Sequence, residues 1–309
     1  MMSTLGLNEP TPDVTIYEVG PRDGLQNEST FVSTENKVSL IQALAASGLV
    51  KIEATSFVHP RWIPALADAD NLMGMLSLDE AVTYSALVPN LRGMQRAVLH
   101  EPRELALFMS ASEMHNRKNI NKTRSETYEA FAPVVDLARE KGIKLRAYVS
   151  TVWGCPYQGD VPIDDVLEVS ERLLAMGVYQ ISLGDTIGVG DPAQTRRILS
   201  AFKSSIGLEQ IALHMHDTRG TALANCLVGL EMGVTTFDSS IGGLGGCPYA
   251  KGASGNLATE DLVYMLDRMG VRTNISLERL VRAGLMAQSF VGRKLPGRAL
   301  SALAGDLEE

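Results

Sequence analysis

The chain has 309 residues, 45% of them hydrophobic and 21% charged, with a formal net charge of −8. That balance argues against a disordered chain, and it argues against a nucleic-acid surface as the main function, because phosphate binding needs clustered Lys and Arg. No apolar run approaches the roughly 20 residues of a membrane span. The three cysteines, Cys155, Cys226 and Cys247, lack CxxC spacing, so neither a disulfide framework nor a zinc ribbon is indicated and a reducing compartment fits. The opening MMSTLGLNEPTPD has no basic or apolar leader pattern, and the closing GDLEE is not a peroxisomal address, so a cytoplasmic location is expected.

Short β-rich runs alternate with longer helical segments about eight times, the pattern of parallel βαβ units. Strands are predicted at Val14–Val19, Val50–Thr55, Thr83–Val88, Leu105–Met109, Lys144–Ser150, Gln180–Leu183, Gln210–Met215 and Thr235–Ser239. Between them lie helices such as Thr34–Ser47, with Thr34 as N-cap and Gly48 as stop, and Ile163–Met176, ending at Gly177. The reading is a single α/β domain over residues 1–309, a closed (β/α)8 TIM barrel over about 13–270 rather than an open doubly wound sheet. An extra C-terminal helical tail follows Asn274, over about 275–309, interrupted at Pro296 and Gly297.

A barrel gathers its chemistry at the C-terminal ends of the strands. Arg22 and Asp23 follow the first strand, Glu53 lies late in the second, Asp185 follows the sixth, and the tetrapeptide HMHD closes the seventh. His214 and His216 stand two residues apart, so on a strand they point to the same side, as joint metal ligation requires. With Asp23 they form a mixed nitrogen and oxygen set suited to octahedral Mg2+ or Mn2+; zinc suits it less, since structural zinc sites are usually closed and rich in thiolate. Asn256 offers an amide oxygen as a fourth ligand, against the ordinary reading of Ser-Gly-Asn as turn chemistry. Arg22 is either half of a surface ion pair with Asp23 or a holder of a developing oxyanion.

The segment Gly242–Asn256, GGLGGCPYAKGASGN, places six glycines in fifteen residues around one thiol. Such a composition permits a lid, although it matches neither the P-loop nor the dinucleotide fingerprint. Cys247 reads as a buried inert thiol or as a reactive one, and Cys226, inside an apolar helix, reads as core.

The motifs VGPRDGLQNE (Val19–Glu28), IEATSFV (Ile52–Val58), SLGDTIGVG (Ser182–Gly190), HMHDT (His214–Thr218) and GLGGCPYAKGASGNLATEDLVYML (Gly243–Leu266) closely resemble the 3-hydroxy-3-methylglutaryl-CoA lyase family, from about Val14 to Leu266. The wider superfamily of metal-dependent barrels contains isopropylmalate and homocitrate synthases, which share the RDG and HxH elements and usually carry an added C-terminal domain. The resemblance implies Asp23, His214, His216 and Asn256 as metal ligands, Arg22 as enolate-stabilising arginine, Glu53 as a catalytic-network acid and Cys247 as catalytic thiol. Asp23 or His214 is the candidate base. Gln26, Ser56, Ser182, Asp185 and Thr186 resemble positions lining the acyl pocket. Many relatives have a lysine near Ser29, a serine at His59 and a tyrosine at Arg219, so coenzyme contacts can differ here.

The implied function is divalent-metal-dependent cleavage of 3-hydroxy-3-methylglutaryl-CoA to acetyl-CoA and acetoacetate, as in leucine breakdown. An acyl-CoA substrate, Mg2+ or Mn2+ and a homodimer or higher homo-oligomer are expected, with no nucleic-acid or membrane partner. Three alternatives stand beside it: a lyase for a larger 3-hydroxy-3-alkylglutaryl-CoA, a Claisen-type acyltransferase, and a non-catalytic metal-binding barrel.

Overall fold

The eight β-rich runs form eight parallel strands: β1 (Thr15–Glu18), β2 (Lys51–Ser56), β3 (Thr83–Leu87), β4 (Glu104–Ser110), β5 (Lys144–Ser150), β6 (Gln180–Gly184), β7 (Ile211–His214) and β8 (Thr236–Ser239). Each pairs with its neighbours in chain order, and β8 pairs with β1, so the sheet closes into a (β/α)8 TIM barrel and not an open doubly wound sheet. The computed structural model describes residues 13–76, 81–246 and 255–305. Among these, no helix is long and apolar enough to cross a membrane.

The surrounding helices are α1 (Thr34–Ala46), α2 (Ala69–Met75), α3 (Leu91–Ala97), α4 (Glu113–Ile120), α5 (Arg124–Lys141), α6 (Ile163–Met176), α7 (Pro192–Ser205), α8 (Ala222–Met232) and α9 (Thr259–Arg268). The cap of α1 is Ser33 rather than Thr34: the Ser33 hydroxyl accepts from Asn36 N, while Thr34 Oγ1 donates to Asp68 2.8 Å away. Gly48 does stop α1, at φ +106°, and a Cβ there would stand 2.2 Å from the Asn274 carbonyl, so the chain passes only because glycine has none. Beyond the barrel lie α10 (Leu277–Val291), packed on α1 and α9, and α11 (Arg298–Leu303), with the expected break at Pro296 and Gly297. That break docks under the Gly-rich segment, where Gly297 N donates to Gly242 O at 3.0 Å.

Strand alternation divides the side chains. Ile16, Ile52, Leu105, Leu107, Leu145, Val149, Ile181, Leu183, Leu213 and Phe237 point outward into the main apolar core beneath the helices. At about 1.5–3 kcal/mol for each buried aliphatic or Phe side chain, this layer supplies most of the drive to fold. The lumen is unusually polar: Tyr17, Glu53, Ser85, Glu104, Arg146, Ser182 and Asp238 are all buried, beside a small apolar cluster of Leu87, Ala106 and Tyr148.

Candidate metal centre

The first strand ends in one turn of π-helix, Gly20–Gly24, begun by Pro21, in which the Val19 carbonyl accepts from Arg22, Asp23 and Gly24 N at 3.1, 2.7 and 3.3 Å. Wide turns of this kind recur at functional sites because they turn consecutive side chains into one space. Here they turn both Arg22 and Asp23 over the mouth. Arg22 Nε donates to Glu53 Oε2 at 2.5 Å, and its guanidinium lies 5.1 Å from the Tyr148 ring centroid. The Tyr148 hydroxyl donates to the same Glu53 oxygen at 3.0 Å. Arg22 is therefore buried and held from two sides, and the reading of it as a surface ion pair fails.

Asp23 is the hub. Its Oδ1 accepts from Arg22 at 2.5 Å and from Gln26 Nε2 at 2.7 Å, and its Oδ2 accepts from Asn256 Nδ2 at 2.9 Å. Burial works against its charge, but Arg22 and the two imidazoles hold the Asp23 carboxyl down at about 2. Burial pushes the Glu53 carboxyl above its usual range even with Arg22 beside it.

The strand β7 ends at His214, one residue before the expected Met215. His216 is instead carried by an isolated bridge to Asn256, flanked by Leu257 N on Met215 O at 3.1 Å and Asp217 N on Gly255 O at 2.7 Å. The two histidines still face one space, with ring centroids 5.3 Å apart. His214 Nε2 stands 3.9 Å from Asp23 Oδ2, while its Nδ1 lies 3.3 Å from Asp238 Oδ2. Burial, and next the neighbouring His214, push His216 down to about 4, so it is neutral near pH 7 and offers a lone pair.

One donor atom each from Asp23, His214 and His216 lies within 4.8 Å of the others. Two buried acceptors here suit a cation: among the described residues, His216 Nδ1 and Asn256 Oδ1 have no hydrogen-bond partner. The orientation of Asn256 follows from its neighbours, since Nδ2 donates both to Asp23 and to Leu244 O at 3.0 Å, leaving the carbonyl oxygen turned away from them. Leaving buried acceptors unmet costs about 1–3 kcal/mol each, which a bound divalent ion would offset. Gly245, at φ +110°, permits this packing, because a Cβ there would stand 2.6 Å from Asn256 Nδ2.

Of the other residues singled out by sequence, Gln26 joins the group through Asp23. Ser56 and Asp185 spend their side chains elsewhere, whereas Thr186 meets His216 through its backbone. Ser56 Oγ accepts from Val58 N at 3.3 Å, Thr186 Oγ1 accepts from Thr151 N at 2.7 Å, and the Asp185 carboxylate accepts from Val189 and Gly190 N at 3.0 and 2.9 Å. Burial raises the Asp185 carboxyl to about 6. Ser182 turns into the lumen, where its hydroxyl donates to Asp238 at 2.6 Å. Arg219 ties two mouth loops, donating to Ile187 O and Gly188 O at 2.7 and 3.0 Å. Cys247 lies outside the described residues. Asp238, Arg146 and Tyr148 escape a motif-based reading; the available signal is charge in the middle of strands that must be buried.

The chain matches the HMGL-like family over residues 13–286. It is 53% identical over 287 residues to a hydroxymethylglutaryl-CoA lyase of Bacillus subtilis, covering 93% of this chain and 96% of the relative. A crystal structure of the Bacillus subtilis HMG-CoA lyase superposes with a TM-score of 0.93 at 52% identity, covering 95% of this chain and 99% of that one. An HMG-CoA lyase from Acinetobacter baumannii, solved in complex with coenzyme A and 3-methylmalate, superposes with a TM-score of 0.89 at 39% identity, covering 94% of each chain.

Proposed function

Because the chain belongs to the HMGL-like family, we propose that it is a carbon–carbon lyase cleaving 3-hydroxy-3-methylglutaryl-CoA to acetyl-CoA and acetoacetate. The observation that carries this reading is the adjacency of an Asp, His, His and Asn donor set to Arg22, at the mouth of a barrel shared with HMG-CoA lyases. Asp23, His214, His216 and Asn256 would hold Mg2+ or Mn2+, whose oxygen-rich, open coordination suits this set better than zinc. When bound, such a cation acts as a Lewis acid that acidifies a tertiary hydroxyl.

Cleavage breaks the bond between the hydroxyl-bearing carbon and the CH2 next to the thioester. The hydroxyl proton leaves to a base, Asp23 or His214, the C–O bond becomes the ketone of acetoacetate, and the electron pair passes to the thioester as an enolate. Arg22 donates to the enolate oxygen, its fork aimed by Glu53 and by the Tyr148 ring. Cys247, in the Gly-rich segment, delivers the proton that turns the enolate carbon into the methyl of acetyl-CoA. Gln26 supports Asp23.

The same reading makes the chain a single catalytic domain and a homo-oligomer, and it places the reaction in leucine breakdown in the cytoplasm. The coenzyme A bound by the Acinetobacter relative supports an acyl-CoA substrate. The test is purified protein with Mg2+ or Mn2+ and this thioester: acetoacetate and acetyl-CoA should appear in equal amounts. Absence of turnover with any divalent metal overturns the proposal, and a higher rate on longer 3-alkyl homologues would reassign the substrate.

A further inference from the structure

Directly behind His214 the lumen holds a charged group that the cleavage steps above do not use. Asp238 on β8 is completely buried; one of its oxygens is paired with the Arg146 guanidinium from β5 and the other accepts from Ser182 of β6 at 2.6 Å. Arg146 is itself fixed: Nε donates to Gln180 at 2.9 Å, and the guanidinium lies 4.1 Å from the Tyr17 ring centroid and 4.9 Å from that of Tyr148. The oxygen that accepts from the Ser182 hydroxyl is also the one 3.3 Å from His214 Nδ1.

A neutral imidazole has one N–H, and whichever nitrogen carries it loses its lone pair to ligation. A carboxylate paired with arginine accepts and does not donate, so the nitrogen facing it must be the protonated one. We propose that Arg146, Asp238 and Ser182 form a positioning clamp that fixes His214 as the Nδ1–H tautomer and so presents its Nε2 lone pair toward Asp23 and a divalent cation. Arg146 and Ser182 each hold one carboxylate oxygen, so the group cannot swing away from the imidazole. Ser182, expected from sequence in the acyl pocket, is assigned by this geometry to the back of the site. The proposal rests on the cation reading of the mouth and goes beyond it, because the tautomer can be measured without metal, substrate or turnover.

The test is proton-coupled 15N spectroscopy of histidine-labelled, metal-free protein at mildly alkaline pH, with the His214 signals assigned by their loss in His214→Gln. The wild type should show Nδ1–H. In Asp238→Asn the amide oxygen faces Arg146 and the NH2 faces the ring, so the proton should move to Nε2. Mn2+ affinity, read from the paramagnetic resonance of the free ion, should fall about 10–100-fold, as when other partners that orient ligands are removed, with the far-ultraviolet dichroism unchanged. An Nε2–H tautomer in the wild type overturns the proposal, as does an Asp238→Asn protein that keeps both the wild-type tautomer and Mn2+ affinity. If Asp238→Asn does not fold, Ser182→Ala, which leaves the Arg146 pair intact, carries the test: weaker Mn2+ binding supports the clamp and wild-type affinity overturns it. Nδ1–H in wild-type protein that binds no Mn2+ would support the clamp while removing the cation reading, so the two failures are distinct.

Discussion

At the N-terminal end of the lumen Glu104 accepts from Tyr17 at 2.6 Å, Lys51 at 2.6 Å and Tyr179 at 2.8 Å, whereas at the mouth Glu53, His216 and Asn256 each keep a buried polar atom without a partner among the described residues. Both regions are buried and charged, and both are built from inward-facing strand residues. The lower network has closed on itself and acts as a structural plug. The upper one is left incomplete, and an incomplete polar network is tolerated where something else is meant to complete it. The difference separates structure from chemistry more sharply than burial or charge alone, since the two regions match in those respects.

The largest expected effect breaks the upper network at its centre. Chelation should take acetoacetate release down to background and leave the melting curve of the lower plug in place, with Mg2+ or Mn2+ restoring activity; full activity after exhaustive chelation would remove the cation from the scheme. Next comes Arg22→Gln, which should cut kcat by about 10²–10³, the range for a lost oxyanion donor. Wild-type kcat in this variant would mean that Arg22 only shapes the turn.

Tyr17→Phe attacks the other side of the comparison. Loss of a hydroxyl bonded to a buried carboxylate should cost about 1–3 kcal/mol in denaturant unfolding with kcat nearly unchanged; a large fall in kcat at wild-type stability would show that the plug is not merely structural. The smallest effect concerns two acids packed behind the mouth, Glu18 and Glu260. Burial pushes Glu260 up to about 8 and Glu18 up to about 7, from an ordinary value near 4.5. The folded chain thus holds protons that the unfolded chain releases: their contribution is complete below about pH 4.5 and is lost as pH rises through about 7 to 8. Melting temperature should therefore fall as pH rises from about 4.5 to about 8, and Glu260→Gln should flatten that fall. Parallel slopes in wild type and variant would contradict the assignment.

The sequence made the architecture legible because period-two apolar runs and their spacing carry it: all eight strands lie where those runs fall, with ends displaced by at most one residue. His214, His216, Asp23 and Arg22 stood out because their spacing or position at a strand end is local. Asp238 did not, since its partners Arg146, Ser182 and His214 lie 92, 56 and 24 residues away, and its meaning comes from closure of the barrel. A signal was present nonetheless. Arg146 sits in the middle of a parallel strand, where a charge is buried on both sides and needs a counter-charge from another strand. Asp185 shows the opposite case: its SLGDTIGVG context reads as pocket, but its acceptors are spent on amides of its own loop.

The bridge between His216 and Asn256 has a further consequence, for engineering. Gly255 N donates to Gly245 O at 3.1 Å, so Gly245 and Gly255 are fastened to each other and, through the His216–Asn256 bridge, to the end of β7. Closing a longer excursion costs little, since the entropy grows only with the logarithm of its length. A lengthened insert between those two anchors should therefore leave the spacing of Asp23, His214, His216 and Asn256 unchanged.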